Sequence, residues 1–183
     1  MRIVNRAPAA RQSASLHPAT GMLCLAMIVR PSTEGDEPAV REFLRHRHSD
    51  VVARLGRLER SLDHPALLVE ERAELAGVLT YVLAADDCEI LTLHAAQRGR
   101  GVGTALIAAV ERLARDHGCR RLWVLTSNDN LDALRFYQRR GFRLAELHPG
   151  AISAARANLK PEIPRCGEHD IPIRDELILE KLL

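Results

Sequence analysis

Apolar positions along this chain follow two rhythms, and the switches between them mark out the elements. Residues 28–30 read as a short strand. A polar stretch over 33–36 follows, and Pro38 suits the first turn of a helix over 39–48, where Val40, Phe43 and Leu44 have helical spacing. Residues 51–62 read as a second helix, with Val52, Leu55, Leu58 and Leu62 on one face and Gly56 as an internal irregularity. Strands come next at 66–70, 75–84 and 88–94, divided by polar turns at 71–74 and 86–87. From Arg98 the period becomes 3.6: Leu106, Ile107, Val110, Leu113 and Ala114 make one helix face, and Gly118 suits the position just past its end. Residues 122–126 form a short apolar strand. Ser127-Asn-Asp-Asn130 offers capping side chains for a helix over 131–140, stopped by Gly141. Residues 142–147 return to strand. Residues 149–173, interrupted by prolines, read as mostly ordered loop, and 175–182 alternate as a closing strand. The order β-α-α-β-β-β-α-β-α-β-loop-β predicts one α/β domain built on a mixed sheet.

Composition mainly excludes. A chain of 183 residues, 46% hydrophobic and 27% charged, suits a single globular domain, not a disordered, collagenous or disulfide-stapled one. Aromatics at 3% leave little for stacking on single-stranded nucleic acid, and a net charge of +2 gives no broad reason to bind it. Of 26 basic residues only Lys160 and Lys181 are lysine, so each arginine carries less weight than usual. Cys24, Cys88, Cys119 and Cys166 are too scattered for a zinc pattern, and His46 and His48 have no cysteine nearby. No metal site is expected, and reduced thiols fit a cytoplasmic protein. The apolar stretch 22–29 is far too short for a membrane helix. Residues 1–26, basic and without Asp or Glu, read as a mobile extension ahead of a domain over 27–183.

Chemistry concentrates in two segments. Arg98-Gly-Arg-Gly-Val-Gly-Thr104 stands where a strand ends and a helix begins. Glycines there let the backbone approach a ligand, and the helix N-terminus adds unpaired donors that suit a phosphate. The spacing lacks the residues of a dinucleotide fingerprint or a P-loop. The second segment is Asn130-Leu-Asp-Ala-Leu-Arg-Phe-Tyr-Gln-Arg-Arg-Gly-Phe142. In this order the two resemble the GNAT superfamily of acyl-CoA-dependent N-acetyltransferases. Arg98, Gly101 and Gly103 match its pyrophosphate loop; Asn130, Ala133, Phe136, Tyr137, Gly141 and Phe142 match its following helix. The resemblance spans residues 27–147. Beyond it, Lys160-Pro-Glu-Ile-Pro164 and Ile171-Pro-Ile-Arg-Asp-Glu176 resemble the tail of a bacterial subgroup whose acceptor is unassigned.

The resemblance implies a single GNAT-like domain: a mixed central sheet splayed between its two middle strands and flanked by about four helices. It implies acetyl-CoA as co-substrate. The strand through Leu91 and Leu93 would pair with the pantetheine arm, with the Leu93 amide on the thioester carbonyl. The turn of Arg98, Gly99, Arg100, Gly101, Val102, Gly103 and Thr104 would bind the pyrophosphate, and Asn130, Ala133 and Tyr137 would border the cofactor. Tyr137 falls at the position of the acid that protonates the departing thiolate. For the base, the residues themselves offer Glu89, on the same face as Leu93 in a regular strand, with Asp87 as fallback and His94 on the opposite face. Arg174-Asp175-Glu176 falls where the last strands border an acceptor cleft, or forms a local salt bridge. Trp123 reads as core. The function implied is transfer of an acetyl group to a primary amine, on a small molecule or peptide, by direct attack in a ternary complex. The alternative is a CoA-binding or sensing module of the same fold without turnover. No membrane or nucleic-acid partner is expected. Homodimers are common in the family, and the closing strand is where a second copy would meet it.

Overall fold

The computed structural model of the protein describes residues 27–183, and the extension expected over 1–26 lies outside the described residues. A short strand β1 (Val29–Pro31) leads into α1 (Glu37–Arg45), with Pro38 in its first turn. Strands β2 (Val51–Arg54) and β3 (Arg57–Arg60) form a separate hairpin. A meander of β4 (Ala66–Glu71), β5 (Glu74–Ala84) and β6 (Asp87–Ala95) follows, then α2 (Val102–Asp116) and β7 (Arg121–Ser127). The chain finishes with α3 (Leu131–Gln138), β8 (Arg143–His148), α4 (Ala151–Asn158) and β9 (Glu176–Leu182). Seven strands make one sheet in the order β1-β4-β5-β6-β7-β9-β8. Its one parallel pair is β6–β7, which needs a crossover, and α2 provides it. The expected α/β architecture, with a mixed sheet and four α-helices, is present.

Alternation along β4 assigns the faces. Leu67 and Val69 join Val102, Leu106, Ile107 and Val110 of α2 in the larger core. Ala66 and Leu68 point the other way, onto Val40, Phe43 and Leu44 of α1. Gly77 allows α2 its close approach, since a Cβ there would stand 2.3 Å from Val102 Cγ1. Helix α3 shares the α2 face, with Tyr137 in the larger core and Phe136 packed against it. The hairpin reaches the α1 face, and α4 packs beside β2.

Two expected elements and one expected core residue differ. Residues 51–62 are not a helix: Leu55 and Gly56 have φ of 46° and 73°, and Arg54 faces Arg57 across them. A two-residue turn with both φ positive matches the twist of flanking strands, and the stiff side chains of Val51 and Val52 favour extension. Residues 149–173 are not all loop, because they contain α4. Its N-terminus is held by distant groups, the Gly150 amide donating to Asp175 Oδ1 at 2.7 Å and the Ile152 amide to the Arg174 carbonyl at 2.9 Å. Trp123 is half-buried outside the core, with the guanidinium carbons of Arg54 and Arg121 at 5.3 and 5.7 Å from its ring.

Candidate active site

Strands β6 and β7 pair only from Asp87↔Arg121 to Ile90↔Val124. Past that point β6 stays on β5 as far as Ala95, and β7 stays on β9 as far as Ser127. The two middle strands therefore part, leaving the β7-facing edge of residues 91–95 without a strand partner among the described residues. This is the splay that the resemblance implied.

Strand β6 is also irregular. Thr80 pairs with Thr92 and Tyr81 with Ile90, so Leu91 is the extra residue of a β-bulge. The bulge resets which side chains share a face. Glu89 meets Arg54 on the hairpin side. Thr92 and His94 point that way too, bonded to the Thr80 hydroxyl at 2.7 Å and the Ser49 hydroxyl at 2.8 Å. Leu93 packs instead on the α2 core. The expectation that Glu89 and Leu93 share a face with His94 opposite assumed a regular strand and is corrected: Glu89 and His94 lie together, and the Leu93 side chain points away.

The glycine turn joins β6 to α2. Gly99 and Gly101 have φ of 80° and 84°, with open space where a Cβ would stand. Glycine takes this left-handed conformation without steric cost. Gly101 is the N-cap of α2, and no side chain caps that end, so the amides of Val102, Gly103 and Thr104 have no intrahelical acceptor. Gly103 does a different job. A Cβ there would lie 3.0 Å from the Phe136 ring and 3.6 Å from Leu93 Cδ2, so β6, α2 and α3 meet at this point. Arg98 is ion-paired with Asp132, and Arg100 lies 3.4 Å from Glu71. Arg140 bonds the Thr104 hydroxyl and stacks 3.5 Å from the Phe136 ring centre.

Helix α3 begins at Asn130, whose side-chain oxygen accepts the Ala133 amide at 3.1 Å. One helix length on, Tyr137 is buried edge-to-face against Phe136 and Phe142, with ring centres 5.2 and 5.3 Å away. Its hydroxyl has no hydrogen-bond partner among the described residues. Burial pushes its pKa up, the nearby Arg140 charge opposing, so the phenol stays protonated.

The α1 face carries the charged groups. Arg54 and Glu89 are both buried and ion-paired, and Arg54 Nε has no hydrogen-bond partner among the described residues. Burial pushes the Glu89 carboxyl up while the Arg54 guanidinium pulls it down. Glu89 is thus engaged with Arg54. Asp87 lies 3.2 Å from Arg121 at the closed end of the β6–β7 pair, away from the split. Nearby, a cleft of about 450 Å³ opens between the hairpin turn and α4. Glu176, 1% exposed, lines it and accepts the Leu55 amide on both carboxylate oxygens at 3.1 and 3.3 Å. Among the residues of the segment 174–176, then, Glu176 borders the cleft and Asp175 holds α4. Sequence reasoning missed Arg54 and His148; the Leu55-Gly56 turn was the available signal for the first.

His94 supplies a pH test. Burial, helped by the nearby Arg47 charge, pushes its pKa down from 6.5 to about 4. Between those values the unfolded chain binds a proton that the folded chain refuses. Stability is therefore intact above about pH 6.5 and falls as pH drops toward 4, by about 3 kcal/mol in all. Denaturant midpoints measured across that window should fall with this slope in the parent and more shallowly in His94→Gln. Parallel curves would rule out a buried neutral imidazole.

The family follows from comparison with known proteins. A model of the acetyltransferase (GNAT) family matches residues 30–142, and the chain belongs to that family. It is 43% identical to the uncharacterized protein YdhI of Bacillus subtilis (strain 168) over 115 residues, 63% of this chain and 71% of that protein. YxbD of the same strain is 40% identical over 116 residues, 63% and 72% of the two chains. Among solved structures, the IAA acetyltransferase from Bacillus cereus ATCC 14579 superposes with a TM-score of 0.67 at 18% identity, covering 86% of this chain and 100% of that one. A Bacillus subtilis acetyltransferase in complex with CoA gives 0.62 at 16% identity, over 86% and 99%. A GNAT acetyltransferase from Elizabethkingia anophelis with acetyl-CoA bound gives 0.63 at 18%, over 86% and 98%. These structural likenesses establish the fold.

Proposed function

We propose that residues 27–183 transfer an acetyl group from acetyl-CoA to a primary amine by direct attack within a ternary complex. One observation carries this reading: the strand edge freed by the parting of β6 and β7 runs straight into a glycine turn and an uncapped helix N-terminus. An extended, amide-bearing arm suits the free edge of residues 91–95, Leu91 and Leu93 included, as an added strand. A pyrophosphate suits the amides of residues 99–104 at the positive end of α2. Bound there, acetyl-CoA supplies an activated acetyl thioester whose sulfur needs a proton on leaving. The Leu93 backbone N–H is assigned to the carbonyl oxygen, a contact worth about 10²–10³ in rate in other acyl transfers. Tyr137 holds a proton on Oη for the sulfur, with Asn130 and Ala133 shaping the wall beside it. Direct attack is supported by the thiol on the strand of Leu93, since Cys88 is buried in the core and burial pushes it up to about 12, unsuited to a covalent intermediate.

Acetyl-CoA at about a hundredfold over its Kd should raise Tm by roughly 5–10 °C, and amines should release free thiol from it. A Tm rise without thiol release from any amine would favour the sensing module instead. The two glycines separate binding from packing. Gly101→Val, which strains a left-handed residue in open space, should lose the acetyl-CoA response while costing about 1–3 kcal/mol of stability. Gly103→Val should lower Tm before any ligand is added, because it presses on Phe136. A full acetyl-CoA response in Gly101→Val would remove the turn from the binding site.

A further inference from the structure

We propose that the cleft between the hairpin turn and α4 is the acceptor site, and that it takes a compact monoamine with a short apolar body, its ammonium held by Glu176. This rests on the transferase reading above and specifies its acceptor. Three observations lead to it.

First, Glu176 is buried and forms no ion pair among the described residues. The Leu55 amide is its donor, while the nearby bases face other groups: Arg54 pairs with Glu89, and His148 Nε2 lies 3.2 Å from Glu146. A buried carboxylate without a cation is costly, and a bound ammonium offsets that cost. Burial pushes its pKa up, with the Leu55 amide, His148 and Arg54 opposing. His148 lines the same cleft, and its buried Nε2 makes no well-aligned hydrogen bond among the described residues despite its approach to Glu146.

Second, Glu176 lies past the end of the β6–β7 ladder, on the side of the proposed reaction centre. It pairs with Ser127, three residues beyond Val124, and Leu93 lies beyond Ile90, the other member of that last pair. An amine on Glu176 is therefore on the side where the strands part.

Third, the wall opposite is small and apolar. Helix α4 turns Ala151, Ala154 and Ala155 into the cleft, with Asn158 at its far end donating to the Ala154 carbonyl, and Glu176 is the one acidic residue lining it among the described residues. A volume of about 450 Å³ is that of a small-molecule site. No second carboxylate among the described lining residues meets a polyamine's other ammonium, and the alanine wall offers a peptide's amides few side-chain partners. Before attack, the ammonium passes one N–H proton to a Glu176 oxygen, its electron pair stays on nitrogen, and the neutral acid later returns the proton to water.

Calorimetry in the presence of CoA tests this with 2-phenylethylamine and 3-methylbutylamine, against spermidine, tetra-alanine with a free N-terminus, and 2-phenylethanol. The two monoamines should bind the parent and the other three should not. Glu176→Gln keeps an acceptor for the Leu55 amide and removes the charge, so monoamine Kd should rise about tenfold or more, the scale of a charge-assisted hydrogen bond. Ala154→Phe, at an exposed position on the wall, should weaken 2-phenylethylamine more than 3-methylbutylamine while the Tm rise with acetyl-CoA persists. Monoamine affinity unchanged in both variants, or spermidine or peptide binding as well as the monoamines, would overturn the amine site and leave the transferase reading intact. Monoamine binding with no Tm response to acetyl-CoA would overturn the transferase reading and leave the amine site standing.

Discussion

Tyr137→Phe should lower kcat by about 10²–10⁴-fold while leaving acetyl-CoA affinity almost unchanged, as removal of a general acid does when chemistry limits the rate. The ring is wedged between Phe136 and Phe142, and phenylalanine fills the same space. The hydroxyl bonds no described residue, so its loss breaks no internal contact and Tm should hold. Burial raises the phenol pKa, which keeps the proton on Oη at neutral pH and available as negative charge develops on the leaving sulfur. An interaction made only in the transition state lowers kcat and kcat/KM together, with little change in KM. Steady-state rates with an authentic amine, alongside the acetyl-CoA-induced Tm rise, measure both halves. Full turnover in the phenylalanine variant would reduce Tyr137 to packing, and a thioester with a better leaving group should narrow the gap if the acid role is right.

How far the sequence reveals this site depends on how local the determining physics is. The glycine turn and the start of α3 are legible because Gly99, Gly101 and Asn130 act on their own backbone through positive φ or a cap three residues away. The bulge at Leu91 is not, because it exists only as a mismatch between β6 and β5. That single extra residue decides that Glu89 and His94 share a face, which no reading of β6 alone supplies. The hairpin is an intermediate case. Val52, Leu55, Leu58 and Leu62 satisfy a helical period, and the competing signal is one short turn at Leu55-Gly56. Helix α4 depends on Asp175 and Arg174 for its first amides, and Glu176 depends on Leu55, from the other end of the chain. The cleft is thus a product of long-range contacts, whereas the proposed cofactor site is largely written in consecutive residues.

Breaking the Arg54–Glu89 pair should give the largest loss of stability of any substitution on the α1 face. Both side chains are almost fully buried, and removing one partner leaves the other charge uncompensated, a loss of about 3–5 kcal/mol. In a chain of this size that is roughly a 10 °C fall in Tm. Arg54→Met should show it most clearly, because burial already pushes the Glu89 carboxyl up and the guanidinium is what opposes the push. Glu89→Gln should cost a similar amount by stranding the guanidinium over Trp123. The double variant replaces both charges, so it should recover most of the loss instead of adding the two. A double variant as unstable as the sum of the singles would mean that the residues act independently. The same Glu89→Gln protein decides its catalytic part: with Glu176 taking the amine's proton, the acid limb of the pH–rate profile keeps its midpoint once the unfolded fraction is allowed for. A rate loss that deepens at low pH would return the base role to Glu89.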